Sequence, residues 1–341
     1  MSITSNQGPS SASDSSMDAH RQRELKWVSL MGAVPPAQAR KNKKVKKLLM
    51  DGSVPSSVRF LVWSYLTDGK AKAIPGVYVQ LGKRPRGPAL AGVERDIQRS
   101  SPDHPHMQSN RASLLSVLHA YLSMVPDIEY SIGRSSSSFL FSPLGLTLIS
   151  GHLLALSPEE DAFWIFVSIM DSYLRPYFSS NTTQIEVDAA LFSRALEAND
   201  AQVAKKVLLD LSINPAELCR PWFSTLFVDA LPLDYLNRVW DLFLFEGIPF
   251  LFRVGLALFH CCRRQVLEAI NQESLFDVLN HPSPNWLPPS PDAFIALAYS
   301  VKVKDDDVRK QRIKMEAQVK RQTQTPRTKP AASRTLSGPR I

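Results

Sequence analysis

Few residues in this chain combine the types and spacings that chemistry needs. The nearest approach to a phosphate-cradling loop is Gly76 to Lys83. Such a loop needs four residues between its glycines, then Lys, then Ser or Thr. Here five residues intervene, and Arg84 stands where the hydroxyl belongs. Neither Gly-x-Gly-x-x-Gly nor His-Glu-x-x-His occurs. His104 and His106 flank Pro105 and could hold a metal edge-on, but no further ligand sits nearby, so a solvated loop is the plainer reading. Cys261 and Cys262 lie in an apolar stretch and read as core rather than as reactive thiols. With Cys219 they make an odd set with two neighbours adjacent, which builds no disulfide framework and points to a reducing, intracellular compartment. Glu159, Glu160 and Asp161 follow Pro158. They read as the first turn of a helix, whose positive end favours carboxylates. No active site of the chain's own emerges from these groups.

The elements that would position any site are helical. Periodic apolar residues predict helices over 21–31, 37–50, 55–66, 91–99 and 114–122. Longer apolar helices are expected over 139–156, 159–174, 184–194, 197–210, 215–227, 232–245 and 248–269, with a last helix or two over 292–322. Residues 69–90 and 100–109 read as loops, since Pro and Gly recur there. No β-alternation lasts long enough to seed a sheet. The expectation is one all-α domain over 21–322, between a Ser-rich disordered tail over 1–20 and a disordered basic tail over 323–341.

Lys and Arg number 40 and Asp and Glu 32, for a net charge of +8. The excess is local: residues 302–341 hold 12 basic and 4 acidic side chains, and residues 1–301 hold 28 of each sign. A nucleic-acid-binding domain would carry its charge on the folded face, so no nucleic-acid partner is expected. The basic stretch 302–341 has two readings: a solvated helix and tail, or a peripheral contact with an anionic membrane. Met1 to His20 lacks the apolar stretch of a signal peptide. Phe139 to Leu156 is nearly apolar and within spanning length, but Pro143, Ser142, Ser150 and His152 favour a buried core helix.

A set of groups recurs in a fixed order. Arg59 and Trp63 stand four apart. Val93-Glu94-Arg95-Asp96-Ile97-Gln98-Arg99 follows, then Pro126-Asp127-Ile128-Glu129-Tyr130-Ser131-Ile132-Gly133. Beyond these come Glu160 to Trp164, Trp222-Phe223, Leu226-Phe227, Val239-Trp240-Asp241, Phe245-Glu246-Gly247 and Phe252-Arg253-Val254. In this order the groups resemble the TBC domain of Rab GTPase-activating proteins. The resemblance covers roughly residues 25–300, with 50–260 matching best.

The resemblance implies a single, large, multi-helix domain that grips a Rab-type small GTPase and speeds its GTP hydrolysis. It would act in vesicle trafficking, as a cytoplasmic protein peripheral on endomembranes. It would have no cofactor of its own, because GTP and magnesium belong to the partner. The family supplies two catalytic fingers. Its arginine, in Ile-x-x-Asp-x-x-Arg, carries over onto Arg99, with Val93 and Asp96 in the motif's other places. A guanidinium fixed against the oxygens of a transferring phosphoryl group stabilises the charge that spreads over them. Its Arg-x-x-x-Trp element carries over onto Arg59 and Trp63, read as structural: the indole in the core, the guanidinium on a buried carboxylate, with Asp96 as the candidate.

The second finger departs from the family pattern. Tyr130-Ser131-Ile132-Gly133 aligns on Tyr-x-Gln-Gly, so Ile132 stands where the glutamine belongs. An isoleucine has neither donor nor acceptor with which to orient water. Three outcomes follow. The GTPase's own switch glutamine does this work, and activation survives in reduced form. Alternatively, the domain is a non-catalytic Rab-binding scaffold or effector module. In the third, a nearby amide substitutes, Gln98 being a weak candidate.

Overall fold

A computed structural model describes residues 10–100, 105–126, 128, 144–178 and 183–324, with side chains over 17–98, 107–126, 128, 144–178 and 183–318. Among the described residues the chain is helical and forms no strand. Helix α1 (Ser10–Ala33) begins at Ser10 rather than at the expected Arg21. Once a helix is nucleated, each further residue adds a backbone hydrogen bond. The packed turn around fully buried Trp27 provides that nucleus. One helix was expected over 37–50, but two form: α2 (Pro36–Ala39) and α3 (Lys43–Met50). The Asn42 side chain accepts from the N–H groups of Lys44 (2.8 Å) and Val45 (3.3 Å), an N-cap that starts a new helix. Arg23 of α1 donates to the carbonyls of Leu48 (2.8 Å) and Gly52 (2.6 Å), satisfying groups that the end of α3 leaves open.

Helix α4 (Arg59–Leu66) follows a 3-10 turn. The expected loop over 69–90 holds α5 (Gly69–Lys72), α6 (Val77–Gly82) and the start of α7 (Ala89–Ser100). Gly76, at φ 78, makes the left-handed entry to α6. The expected loop over 100–109 likewise contains α8 (Pro105–Ser109), whose Met107 is fully buried. Such short helices are stable only when packed, and their buried residues, Leu81 and Met107, provide that packing. Helix α9 (Arg111–Met124) precedes α10 (Leu144–Leu154). Gly145 to Leu153 of α10 are all buried. No helix of the described residues is long and apolar enough to cross a membrane. At Gly145 a Cβ would lie 2.3 Å from the Ser224 carbonyl oxygen, so only glycine permits this approach.

The second half runs through α11 (Glu159–Ile169), α12 (Arg175–Phe178), α13 (Gln184–Asn199), α14 (Ala201–Lys205), α15 (Pro215–Phe223), α16 (Leu233–Glu246) and α17 (Ile248–Cys261). It ends in α18 (Arg263–Glu268), α19 (Gln272–Asn280), α20 (Pro291–Ser300) and α21 (Asp305–Gln324). The expected helix over 248–269 breaks at Cys262, between α17 and α18. Burial pushes the Cys261 thiol up to about 11 and the Cys262 thiol up to about 12, consistent with core residues. Phe192 sits among the rings of Trp222, Phe223, Phe252 and Phe259, at centroid distances from 5.8 to 6.3 Å. One cluster of buried apolar residues runs from Trp27 to Val308.

Candidate functional site

Helix α7 carries the arginine motif. Leu90, Val93, Asp96 and Ile97 form its buried side, while Arg95 and Gln98 are exposed. Val93 and Ile97, one turn apart, are fully buried and fix how the helix is rotated against α9 and α10. Arg99 lies in the last turn of α7, and its side chain falls outside the described residues. Tyr130, Ile132 and Gly133 of the altered second-finger motif also lie outside the described residues.

Arg59 and Trp63 meet elsewhere than expected. Their carboxylate is Asp241 of α16, not Asp96. The Trp63 indole N–H donates to Asp241 Oδ1 at 2.8 Å, and Arg59 Nε lies 3.5 Å from the same oxygen. The Val54 N–H donates to Asp241 Oδ2 at 2.9 Å, and Arg59 closes the ring by donating to the Val54 carbonyl at 2.6 Å. Burial pushes the Asp241 carboxyl above its ordinary range, against the Arg59 guanidinium and the two N–H donors that pull it down. A fully buried carboxylate can hold a charge only with such partners. Asp96 was the expected candidate, but it is Asp241 that the packing of α4 on α16 brings to Arg59 and Trp63.

The same packing extends to α7. The Trp63, Trp240 and His152 rings lie mutually within 5.7 Å, centroid to centroid. His152 belongs to α10, which packs on α7. The Asp241 cluster therefore holds α4, α10 and α16 together, and α10 in turn supports the helix that carries Arg99. Among the described residues Arg59 and Trp63 belong to this packed junction, the structural place expected of them.

A second junction forms at Phe245-Glu246-Gly247. Arg40 Nε donates to the Phe245 carbonyl at 3.1 Å, and its guanidinium lies 5.2 Å from the centre of the Tyr173 ring. Lys46 pairs with Glu246 at 2.9 Å, and Arg309 of α21 donates to the Glu246 carbonyl at 3.1 Å. Gly247 takes φ 81, and a Cβ there would meet Arg40 and Tyr173 at 3.2 Å. This corner joins α2, α3, α16 and α21.

Sequence reasoning missed the partner of Arg312. Arg312 of α21 grips fully buried Asp188 of α13 with two bonds, at 2.6 and 3.0 Å. Tyr177 also donates to Asp188, at 2.6 Å. Burial pushes the Arg312 guanidinium down, but Asp188 outweighs it and holds the group above its ordinary value. Arg253 binds Asp305 at 2.7 Å, a further tie to α21. Arg309 and Arg312, expected on a solvated or membrane-facing helix, are thus partly taken up by the fold. The available signal was Asp188 itself, an acid among the buried Ile185, Ala189 and Phe192. Among the described residues no group of three or more His, Cys, Asp or Glu side chains could hold a metal ion.

The fold defines the class first. The chain superposes on the crystal structure of the Chlamydomonas flagellar RabGAP TBC domain with a TM-score of 0.64, at 22% identity, covering 87% of this chain and 98% of that one. The Ypt/Rab-GAP domain of Gyp1p gives a TM-score of 0.60 at 17% identity, covering 82% and 97%. Sequence then sets the family. The sequence model of the Rab-GTPase-TBC domain matches residues 56–267. TBC1 domain family member 10A of Mus musculus is 32% identical over 249 residues, which span 71% of this chain and 47% of that protein. Carabin of Mus musculus is 33% identical over 263 residues, spanning 75% and 56%. The chain belongs to the Rab-GTPase-TBC domain family, and it spans about half the length of these two relatives.

Proposed function

We propose that this chain is a GTPase-activating protein for a Rab-type small GTPase, and that it contributes one catalytic finger, Arg99. The observation that carries this reading is the setting of α7. Val93, Asp96 and Ile97 are buried, so the helix is held in one rotation with Arg99 in its last turn. A guanidinium brought to a bound GTP in this way stabilises the charge of the phosphoryl-transfer transition state, an effect of about 10³ to 10⁵ in rate. GTP and magnesium belong to the partner, and the partner's switch glutamine orients the water. The protein works at the cytoplasmic face of endomembranes, in vesicle trafficking.

A second reading is favoured by Ile132. With no amide there, the domain binds GTP-loaded Rab without speeding hydrolysis and serves as a scaffold or effector. Single-turnover GTP hydrolysis across a panel of purified Rab proteins separates the two. The first reading expects acceleration by the native chain, its loss in Arg99→Ala, and its loss again when the GTPase's switch glutamine is replaced. No acceleration on any Rab that binds, together with a gain in Ile132→Gln, would establish the second.

A further inference from the structure

Helix α3 carries an arrangement of charge that its own stability does not explain. Residues 40–47 hold six cations and no carboxylate, in a stretch 1–301 that is neutral overall. Two of the six serve the fold: Arg40 rests on Tyr173, and Lys46 pairs with Glu246. The other four, Lys41, Lys43, Lys44 and Lys47, are exposed, and among the described residues no carboxylate lies within ion-pair distance of them. Local energetics oppose this placement. Lys43 and Lys44 occupy the first turn of α3, at the positive end of its dipole, and that turn has no acidic residue. Lys43 and Lys47 stand one turn apart with like charge, a repulsive spacing. A local rule broken with no gain inside the fold marks a surface selected for something outside it.

We infer that the outer face of α3 is a docking surface for an anionic lipid membrane. Val45 and Leu49 are fully buried, so α3 is fixed to the body and presents its lysines outward. Acidic peptides are gripped by clusters of arginine, and the four exposed cations of this face are all lysines. Nor does it have the arginines and aromatic rings that grip and stack nucleic acid. Compact ammonium charges on flexible stems suit the diffuse field of a headgroup layer instead. Across a cleft of about 640 Å³ stand Lys304 and Lys310, but Asp305, Asp306 and Asp307 share that cleft and cancel its charge. The lipid-facing charge is therefore that of α3. This placement differs from the stretch 302–341, where the sequence alone suggested membrane contact, and it stands whether or not the domain activates a GTPase.

The test is co-sedimentation of the full chain with vesicles of phosphatidylcholine alone, or with about 30 mol% phosphatidylserine. Each lysine near an anionic surface contributes roughly fivefold to partitioning, so replacing Lys41, Lys43, Lys44 and Lys47 together with Gln should lower binding to the anionic vesicles at least tenfold. Replacing Arg327, Lys329, Arg334 and Arg340 with Gln should leave most of it. Binding by the native chain should fall as salt rises from about 0.05 to 0.5 M. An unchanged melting temperature shows that the α3 variant is folded. The proposal is overturned if the α3 variant sediments like the native chain, if the native chain does not prefer anionic vesicles, or if only the tail variant loses binding. It is overturned equally if the four lysines are needed to hold polyglutamate or duplex DNA while no vesicle is bound.

Discussion

At the scale of the residue, the decisive groups are buried charges and the donors that hold them. Asp241 accepts from Trp63 and Val54 and faces Arg59, with no water-exposed surface of its own. Asp241→Ala should strand the Arg59 guanidinium and two N–H donors, at a cost of about 3–5 kcal/mol in urea unfolding. Asp200 offers a milder case. Burial raises its carboxyl, but the bond from Arg263 at 2.6 Å and the N–H groups of Val203 and Gln202 outweigh this and hold it below 3.8. A folded pKa below the unfolded one adds stability above about pH 4, and that stability is lost as pH falls through the folded value. Unfolding free energies at pH 7 and pH 3 should therefore show a larger acid loss for the native chain than for Asp200→Asn. An equal loss in the two would remove Asp200 from the account. The Asp241–Trp63 contact also shows how far residue types could be read. The meeting of Arg59 with a buried carboxylate was expected, but the bond from the Trp63 indole to the same group was not. Nor was the carboxylate's identity, because it comes from 178 residues away along the chain.

At the scale of the element, α21 behaves as a strap rather than a tail. Its first turn holds Asp305, Asp306 and Asp307, which favour a helix start; Asp305 accepts from Arg253 of α17, and Arg309 and Arg312 bond back to α16 and α13. Arg312→Ala should leave buried Asp188 with only neutral donors, Tyr177 and Gln184. The cost expected is about 3–5 kcal/mol, felt first as release of α21. Hydrogen exchange should show amides of 305–318 opening while those of α10 and α11 stay protected. Uniform opening everywhere would mean that α21 is not a separate strap. Composition left this basic end either solvated or facing a membrane, since a charge count cannot see which arginines find buried partners.

Across the whole molecule, the buried-charge junctions stand apart from the candidate site on α7. The Asp241 cluster, the Glu246 corner and the Arg312 strap join helices other than α7, and of these only the Asp241 cluster, through His152 of α10, meets a helix packed on α7. Arg99 at the end of α7 should then be free to change without loss of the fold. Arg99→Ala should keep the melting temperature and bind a GTP-loaded partner within about threefold of the native chain, while hydrolysis returns to the intrinsic rate. A large fall in affinity instead would make Arg99 a binding residue.

The amino-acid sequence alone determined the helical class and most helix positions among the described residues after 139. These follow from local periodicity, capping and residue type, which act over a few residues and are legible in order along the chain. Tertiary structure decided the rest: that 37–50 splits at Asn42, that the Pro- and Gly-rich stretches at 69–90 and 100–109 form short helices, that Asp241 rather than Asp96 receives Arg59, and that Arg312 leaves the solvated tail for Asp188. Each depends on burial against elements distant in sequence. A buried charge or a four-residue helix is stable only in the packing that supplies its partners.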